Sequence, residues 1–225
     1  FLKKHYPLLK INASEAWECP TLLMNGFGGH RIEGIGDKHI PWVHNVRNTD
    51  IVSAIRDEDC MRLLRLFNEA EGINYLKKEG IVPQVADKLS LLGISSICNL
   101  LAAIKMAKYF EYTEDDVIIT IFTDSAEMYQ SRLQEQKALK GNYTEMQAAI
   151  DRESVLNAQS YDNLLELSYR DKKRIHNLKY YTWVEQQGKT YQEIMQQWEP
   201  EYWRETFETN LDELDKAIEE FNSLA

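Results

Sequence analysis

Two adjacent serines, Ser95 and Ser96, follow Leu92-Gly93-Ile94 and stand at the start of an apolar helical pattern. A hydroxyl at that position either caps the helix or meets a ligand at the positive end of the helix dipole, and being neutral it adds no charge. A second group is the Gly34-Ile35-Gly36 triplet, inside a loop over 25–41 that also holds Gly26, Gly28 and Gly29. Glycine permits backbone angles and close approaches that other residues forbid, so the loop is either an ordinary turn or a wall set against a ligand. Asp124 and Ser125 form a third group, just after the most strand-like segment, Val117–Thr123. Ligands of α/β sheets bind at such carboxyl ends, though a capped strand-to-helix turn explains the same residues. His30, His39 and His44 have no cysteine or paired-carboxylate companions and read as loop histidines, not metal ligands.

The elements that position these groups follow from periodicity. Short alternation predicts strands over 8–14 and 50–55, and the β-branched run 117–123, apolar on both faces, predicts a central parallel strand. Asp57 is placed to cap a helix with Met61, Leu63, Leu64, Leu66 and Phe67 on its apolar face, and Gly72 to stop it. Residues 74–92 read as a charged surface excursion, and 96–110 as a second helix in which Cys98 is buried. This is α/β grammar with a mostly parallel sheet flanked by helices. From Glu127 on, helical patterns dominate, with breaks at Gly141-Asn142, Gly188 and Glu199-Pro200. Residues 211–224 read as an amphipathic helix with an acidic face. The aromatics Tyr180, Tyr181, Trp183, Tyr191, Trp198, Tyr202 and Trp203 must pack against the core or a second subunit.

Composition narrows the function. The chain has 225 residues, 44% hydrophobic, enough for a substantial core. A net charge of -10 argues against nucleic acid and anionic membrane as partners. The basic residues between Arg170 and Lys179 read as a solvated helix face. No apolar run is long enough to span a bilayer. Cys19, Cys60 and Cys98 are widely spaced with no CxxC pair, which suits a reducing cytoplasm. The start at Phe1, amid what reads as the end of a helix, suggests a trimmed product.

Three segments in order carry a family resemblance. His30-Arg31-Ile32-Glu33-Gly34-Ile35-Gly36, continuing to His39-Ile40-Pro41, is similar to the HKIQGIG..FIP segment of pyridoxal-phosphate (PLP)-dependent cysteine synthases. Glu71-Gly72 followed after an interruption by Gly93-Ile94-Ser95-Ser96 resembles their EGI..GISSG, and Asp124-Ser125-Ala126-Glu127-Met128-Tyr129 their DSGERY. The likeness runs roughly from Leu8 to Leu133. It implies part of a fold type II (tryptophan synthase β-like) PLP domain over 1–133, the carboxyl-terminal half only, with a helical extension over 134–225. By resemblance the cofactor, pyridoxal 5'-phosphate, is met by Ser95, Gly34, Ile35, Gly36, Asp124 and Ser125, with the Ser95 hydroxyl facing the pyridine nitrogen. A hydroxyl there cannot hold a ring N–H⁺ as a carboxylate would, so the ring is a weaker electron sink. That favours loss of a β-substituent over racemisation or transamination.

The resemblance further implies an amino-acid substrate, β-replacement or β-elimination, and a homodimer. The Schiff-base lysine, the substrate loop and the phosphate cup are expected upstream of Phe1. Lys38 and Lys105 lie outside the expected context, so no lysine is nominated and this chain alone is expected to be inactive. Departures from the family pattern bear on the substrate more than on the cofactor: Ile97 and Ala126 replace family glycines, Met128 replaces an arginine, and Asp37 and Lys38 replace small residues. The alternative is a non-catalytic interaction or regulatory module derived from the same fold.

Overall fold

Two five-residue segments, both rich in small or β-branched side chains, form the first strand pair. β1 (Asn12–Ala16) lies parallel to β2 (Ile51–Ile55), in register from Asn12 opposite Ile51 to Ala16 opposite Ile55. In the computed structural model, which describes residues 2–209 and 211–224, every residue of β2 is buried, as a central strand requires. The chain divides into two compact units, a larger one of Leu8–Lys38 with Asp50–Leu167 and a smaller one of Phe1–Pro7, His39–Thr49 and Ser168–Ala225.

In the larger unit, α1 (Asp57–Asn68) turns Cys60, Met61, Leu63, Leu64, Leu66 and Phe67 into the core. Asp57 is not its cap. Arg56 holds the extended capping position without a side-chain bond, while the Asp57 carboxylate takes the Arg31 guanidinium at 2.6 Å. Nor is Gly72 a stop. The chain breaks at the extended Glu69, and α2 (Ala70–Lys78) carries Gly72 inside it. A Cβ on Gly72 would lie 2.2 Å from the Leu66 carbonyl oxygen, so the glycine serves close approach instead. The expected surface excursion is therefore largely helical, with a single turn at Pro83–Ala86 after α2.

α3 (Ile94–Tyr109) buries Ile94, Ile97, Cys98, Leu101 and Ala102. α4 (Gln130–Lys140) and α5 (Glu145–Asp151) follow, and Tyr143, Ala148 and Val155 enter the same core. Asp151, almost fully buried, accepts from Arg62 at 2.6 Å and from the Tyr143 hydroxyl at 2.7 Å. β3 (Leu164–Glu166) then pairs antiparallel with β2, giving the order β1-β2-β3. The fold is α/β as expected, mostly helical, but the sheet is small and mixed. Three residues are too few to show a period, so β3 left no signal in the sequence.

The main correction concerns 117–123. That segment is no strand, and Val117 and Ile119 stand 83% and 87% exposed. Apolar character on both faces announces a demand for covering layers, and among the described residues no strand pairs with it, though Asn99 donates to the Ile121 carbonyl at 3.0 Å and Thr123 meets the Ser95 hydroxyl.

In the smaller unit, α6 (Tyr169–Asn177) and α7 (Tyr191–Gln196) each open on a capping box, Ser168 with Asp171 and Thr190 with Glu193. α8 (Pro200–Arg204) begins on proline, and α9 (Leu211–Ser223) ends the described chain. Trp198 is buried under Lys173 and Arg47, and the Trp183 indole donates to the Ile40 carbonyl at 2.8 Å. Tyr180, Tyr181 and Tyr191 stay exposed. Lys179, read from sequence as solvated, is fully buried.

Candidate functional site

Ser95 is the second residue of α3, and Gly93, extended at φ -71 and ψ 178, occupies the capping position. Neither Ser95 nor Ser96 caps the helix. Glycine already provides the turn, which leaves both hydroxyls inside the first helical turn beside its free N–H groups. The two then part. Ser96 is wholly buried and its Oγ has no hydrogen-bond partner. Ser95, 3% exposed, shares a 2.9 Å hydrogen bond with the Thr123 hydroxyl, and Thr123 is exposed.

The glycine loop lies over Ser95. Gly34 has φ +87 and Gly36 φ +83, conformations that L side chains rarely adopt. A Cβ on Gly34 would sit 3.7 Å from both Cβ and Oγ of Ser95, so this backbone lies directly against that hydroxyl. On Gly36 it would meet His30 Nε2 at 3.2 Å. Ile35 between them packs against the core. Two ion pairs hold the loop. The Arg31 backbone and guanidinium both bind Asp57, and Arg132 at the start of α4 reaches Glu33 at 2.6 Å. Burial pulls the Asp57 carboxyl up, the Arg31 guanidinium pulls it down, and the balance falls below the ordinary carboxylate range.

Asp124 closes the other side. Its carbonyl accepts from the Gly93 N–H at 3.0 Å, and its Oδ2 accepts from the Tyr129 hydroxyl. Its Oδ1 is buried without a partner, facing the bare Cα of Gly93. Burial and this carboxylate together raise the Tyr129 pKa. Ser125 is half-buried and precedes a short 3-10 turn without capping it through its side chain.

The structure thus brings Gly34, Ser95 and, through Gly93, Asp124 together, with Gly36 and Ser125 at the margins. Thr123, which the sequence reading passed over as one strand residue, is the partner that fixes Ser95. Its hydroxyl beside an aspartate at a strand-like end was the available signal. Lys105 is nearly buried and committed to the Ser160 and Asp162 carbonyls and the Asp162 carboxylate, so it offers no free amine. A cavity of about 550 Å³ elsewhere on this unit is lined by Arg62, Arg65 and Lys140 among others. Each of those cations already pairs with a carboxylate. Among the described residues no cluster of histidine, cysteine or carboxylate could hold a metal ion, and no helix is long and apolar enough to cross a membrane.

Comparison with known proteins shows what the chain resembles. The chain is 29% identical to a cysteine synthase of Staphylococcus aureus and 32% identical to cysteine synthase B of Campylobacter jejuni. Each match extends over 130 residues, 58% of this chain and 36% of the relative. The chain therefore spans about a third of the length of the curated relatives it matches, and over that stretch it is similar to cysteine synthases. Among solved structures, a hydrogen sulfide-producing enzyme from Fusobacterium nucleatum superposes with a TM-score of 0.45. Its identity is 25%, over 74% of this chain and 42% of the other. No family model matches the chain.

Proposed function

We propose that this chain is the ring-nitrogen side of a PLP site in a cysteine synthase-like enzyme of fold type II. The observation that supports the reading best is the Ser95 hydroxyl, held by Thr123 under the side-chain-free Gly34 at the mouth of α3. Bound pyridoxal 5'-phosphate supplies an electron sink for bond cleavage at an amino acid. The residues present suit one edge of that group. Ser95 offers its pyridine nitrogen a neutral hydrogen bond, and the positive end of α3 disfavours ring protonation. Gly34, Ile35 and Gly36 let the backbone come close, and Asp124 and Ser125 close the far side, where the unpartnered Oδ1 marks a polar atom awaiting a donor.

The activity we assign to the intact protein is β-replacement or β-elimination on a small amino acid, carried by residues 1–133, with 134–225 as a helical extension. The cysteine synthase resemblance implies that the nucleophilic lysine and the phosphate-binding backbone come from sequence preceding this chain; Lys105 is engaged with Asp162 and Lys38 lies in an exposed loop. A homodimer in a cytoplasmic setting completes the reading, and the three free cysteines accord with a reducing compartment.

The intact protein tests it. Purified in the presence of pyridoxal phosphate, it should show visible absorbance that borohydride removes, and Ser95→Asp should shift that band and cut turnover by about 10²-fold or more. Absence of the band in the intact wild type favours the alternative, a non-catalytic module built on the same fold.

A further inference from the structure

We propose that α9 is a docking helix for a partner protein carrying an apolar groove with a basic rim. Leu211, Leu214, Ile218 and Phe221 recur at the three- and four-residue spacing of a helix face. At about 100° per residue the four fall within an arc of roughly 80°. Their exposures run from 48% to 73%, and no residue of the helix is buried. A stripe this apolar and this open is the anchor pattern of a helix laid in a groove.

Charge selects the occupant. α9 carries five carboxylates, Asp212, Glu213, Asp215, Glu219 and Glu220, against one cation, Lys216. Asp212, Asp215 and Glu219 run along one border of the stripe, so the facing rim must be basic on that side. A second copy is the poorer occupant on two counts. α9 itself carries a net charge of -4, five carboxylates against one lysine, so two copies laid stripe to stripe set like charges together. A helix of 13 residues is also only about 20 Å long, and one helix against another buries well short of the roughly 800 Å² per partner of a standard interface. A groove contacts the stripe from both sides and makes up that deficit.

The test uses the full chain and two designed helical hairpins, each presenting a leucine-lined groove, one flanked by lysines and one by glutamates. Binding is followed by fluorescence anisotropy at 50 and 500 mM salt. The lysine hairpin should bind, weaken at least tenfold at high salt, and be preferred at least tenfold over the glutamate one. Leu214→Asp with Ile218→Asp should abolish binding, with the circular dichroism spectrum confirming the fold. Asp215→Lys with Glu219→Lys should reverse the preference. Equal binding of both hairpins, indifference to the stripe substitutions, or self-association of the wild type that these same substitutions disperse would each overturn the proposal.

Discussion

A Cβ placed on Gly93 would lie 1.9 Å from Asp124 Oδ1 and 3.0 Å from the Asp124 carbonyl oxygen. Neither atom can retreat freely, because that carbonyl accepts from the Gly93 N–H itself and the carboxylate is held by Tyr129. Gly93→Ala should therefore destabilise the chain by about 2–4 kcal/mol, the range of overpacking plus a lost hydrogen bond, read as a lower midpoint in chemical denaturation. Gly80→Ala is the matched control, since nothing lies within 4 Å of its Cβ position and only the left-handed backbone at φ +94 is strained. It should cost about 1 kcal/mol.

Lys179 makes a second residue-scale prediction. Its ammonium nitrogen donates to the Trp42 and His44 carbonyls, each at 2.9 Å, and to Gln197 Oε1 at 2.6 Å. No carboxylate is among these partners, and burial lowers its pKa from 10.5 to about 7. Burial, with Lys179 as a nearby positive charge, likewise pushes His44 and His176 down to about 4. The folded state keeps each group neutral where the unfolded chain is already protonated, so unfolding takes up protons and stability falls with falling pH. The loss should run from pH 10.5 to 7 for Lys179 and from 6.5 to 4 for the histidines. Denaturant midpoints across pH 5 to 10 should show it. Lys179→Met should flatten the upper window and, by removing a positive charge that holds His44 and His176 down, narrow the lower one. A midpoint that rises as pH drops from 10 to 7 would contradict the burial of this amine.

At the scale of elements, 117–123 separates pattern from placement. Were it a buried central strand, replacing Ile119 or Ile121 by serine would cost about 2–4 kcal/mol. With these side chains 87% and 70% exposed, Ile119→Ser and Ile121→Ser should each move stability by less than about 0.5 kcal/mol and should raise solubility. The α6 and α7 starts show the opposite case, in which the pattern is sufficient. Ser168 with Asp171 and Thr190 with Glu193 satisfy the first N–H groups from within four consecutive residues, so no distant partner is needed. Glycine is intermediate. Gly141 and Gly188 break helical runs where expected, with φ +76 and +69, whereas Gly72 looked like a stop and is a contact point.

For the whole molecule, the three cysteines report whether the larger unit closes as a single core. Cys19, Cys60 and Cys98 are all free and buried, and burial next to Cys98 raises the Cys60 thiol well above its ordinary pKa. A thiol that is both inaccessible and protonated is a poor nucleophile. An aromatic disulfide reagent should modify none of the three in the native chain at pH 8 and all three in guanidinium chloride. Fast labelling under native conditions would show that the core opens locally.

The sequence by itself determined what depends on neighbours along the chain. The helical faces of α1, α3 and α9, the capping boxes and the breaks at Gly141, Gly188 and Pro200 arise within a few consecutive residues, where periodicity and turn chemistry act, while the α/β class and the resemblance to cysteine synthases come from the order of such short segments along the chain. The tertiary structure alone decided what depends on residues far apart in sequence. It set Thr123 against Ser95, turned Asp57 from a cap into the partner of Arg31, buried Lys179 among three oxygens from two other segments, and left the side chains of Val117, Ile119 and Ile121 exposed. A side chain's type fixes which partner it requires. Only chain closure, which brings distant residues within hydrogen-bond reach, fixes whether that partner is there.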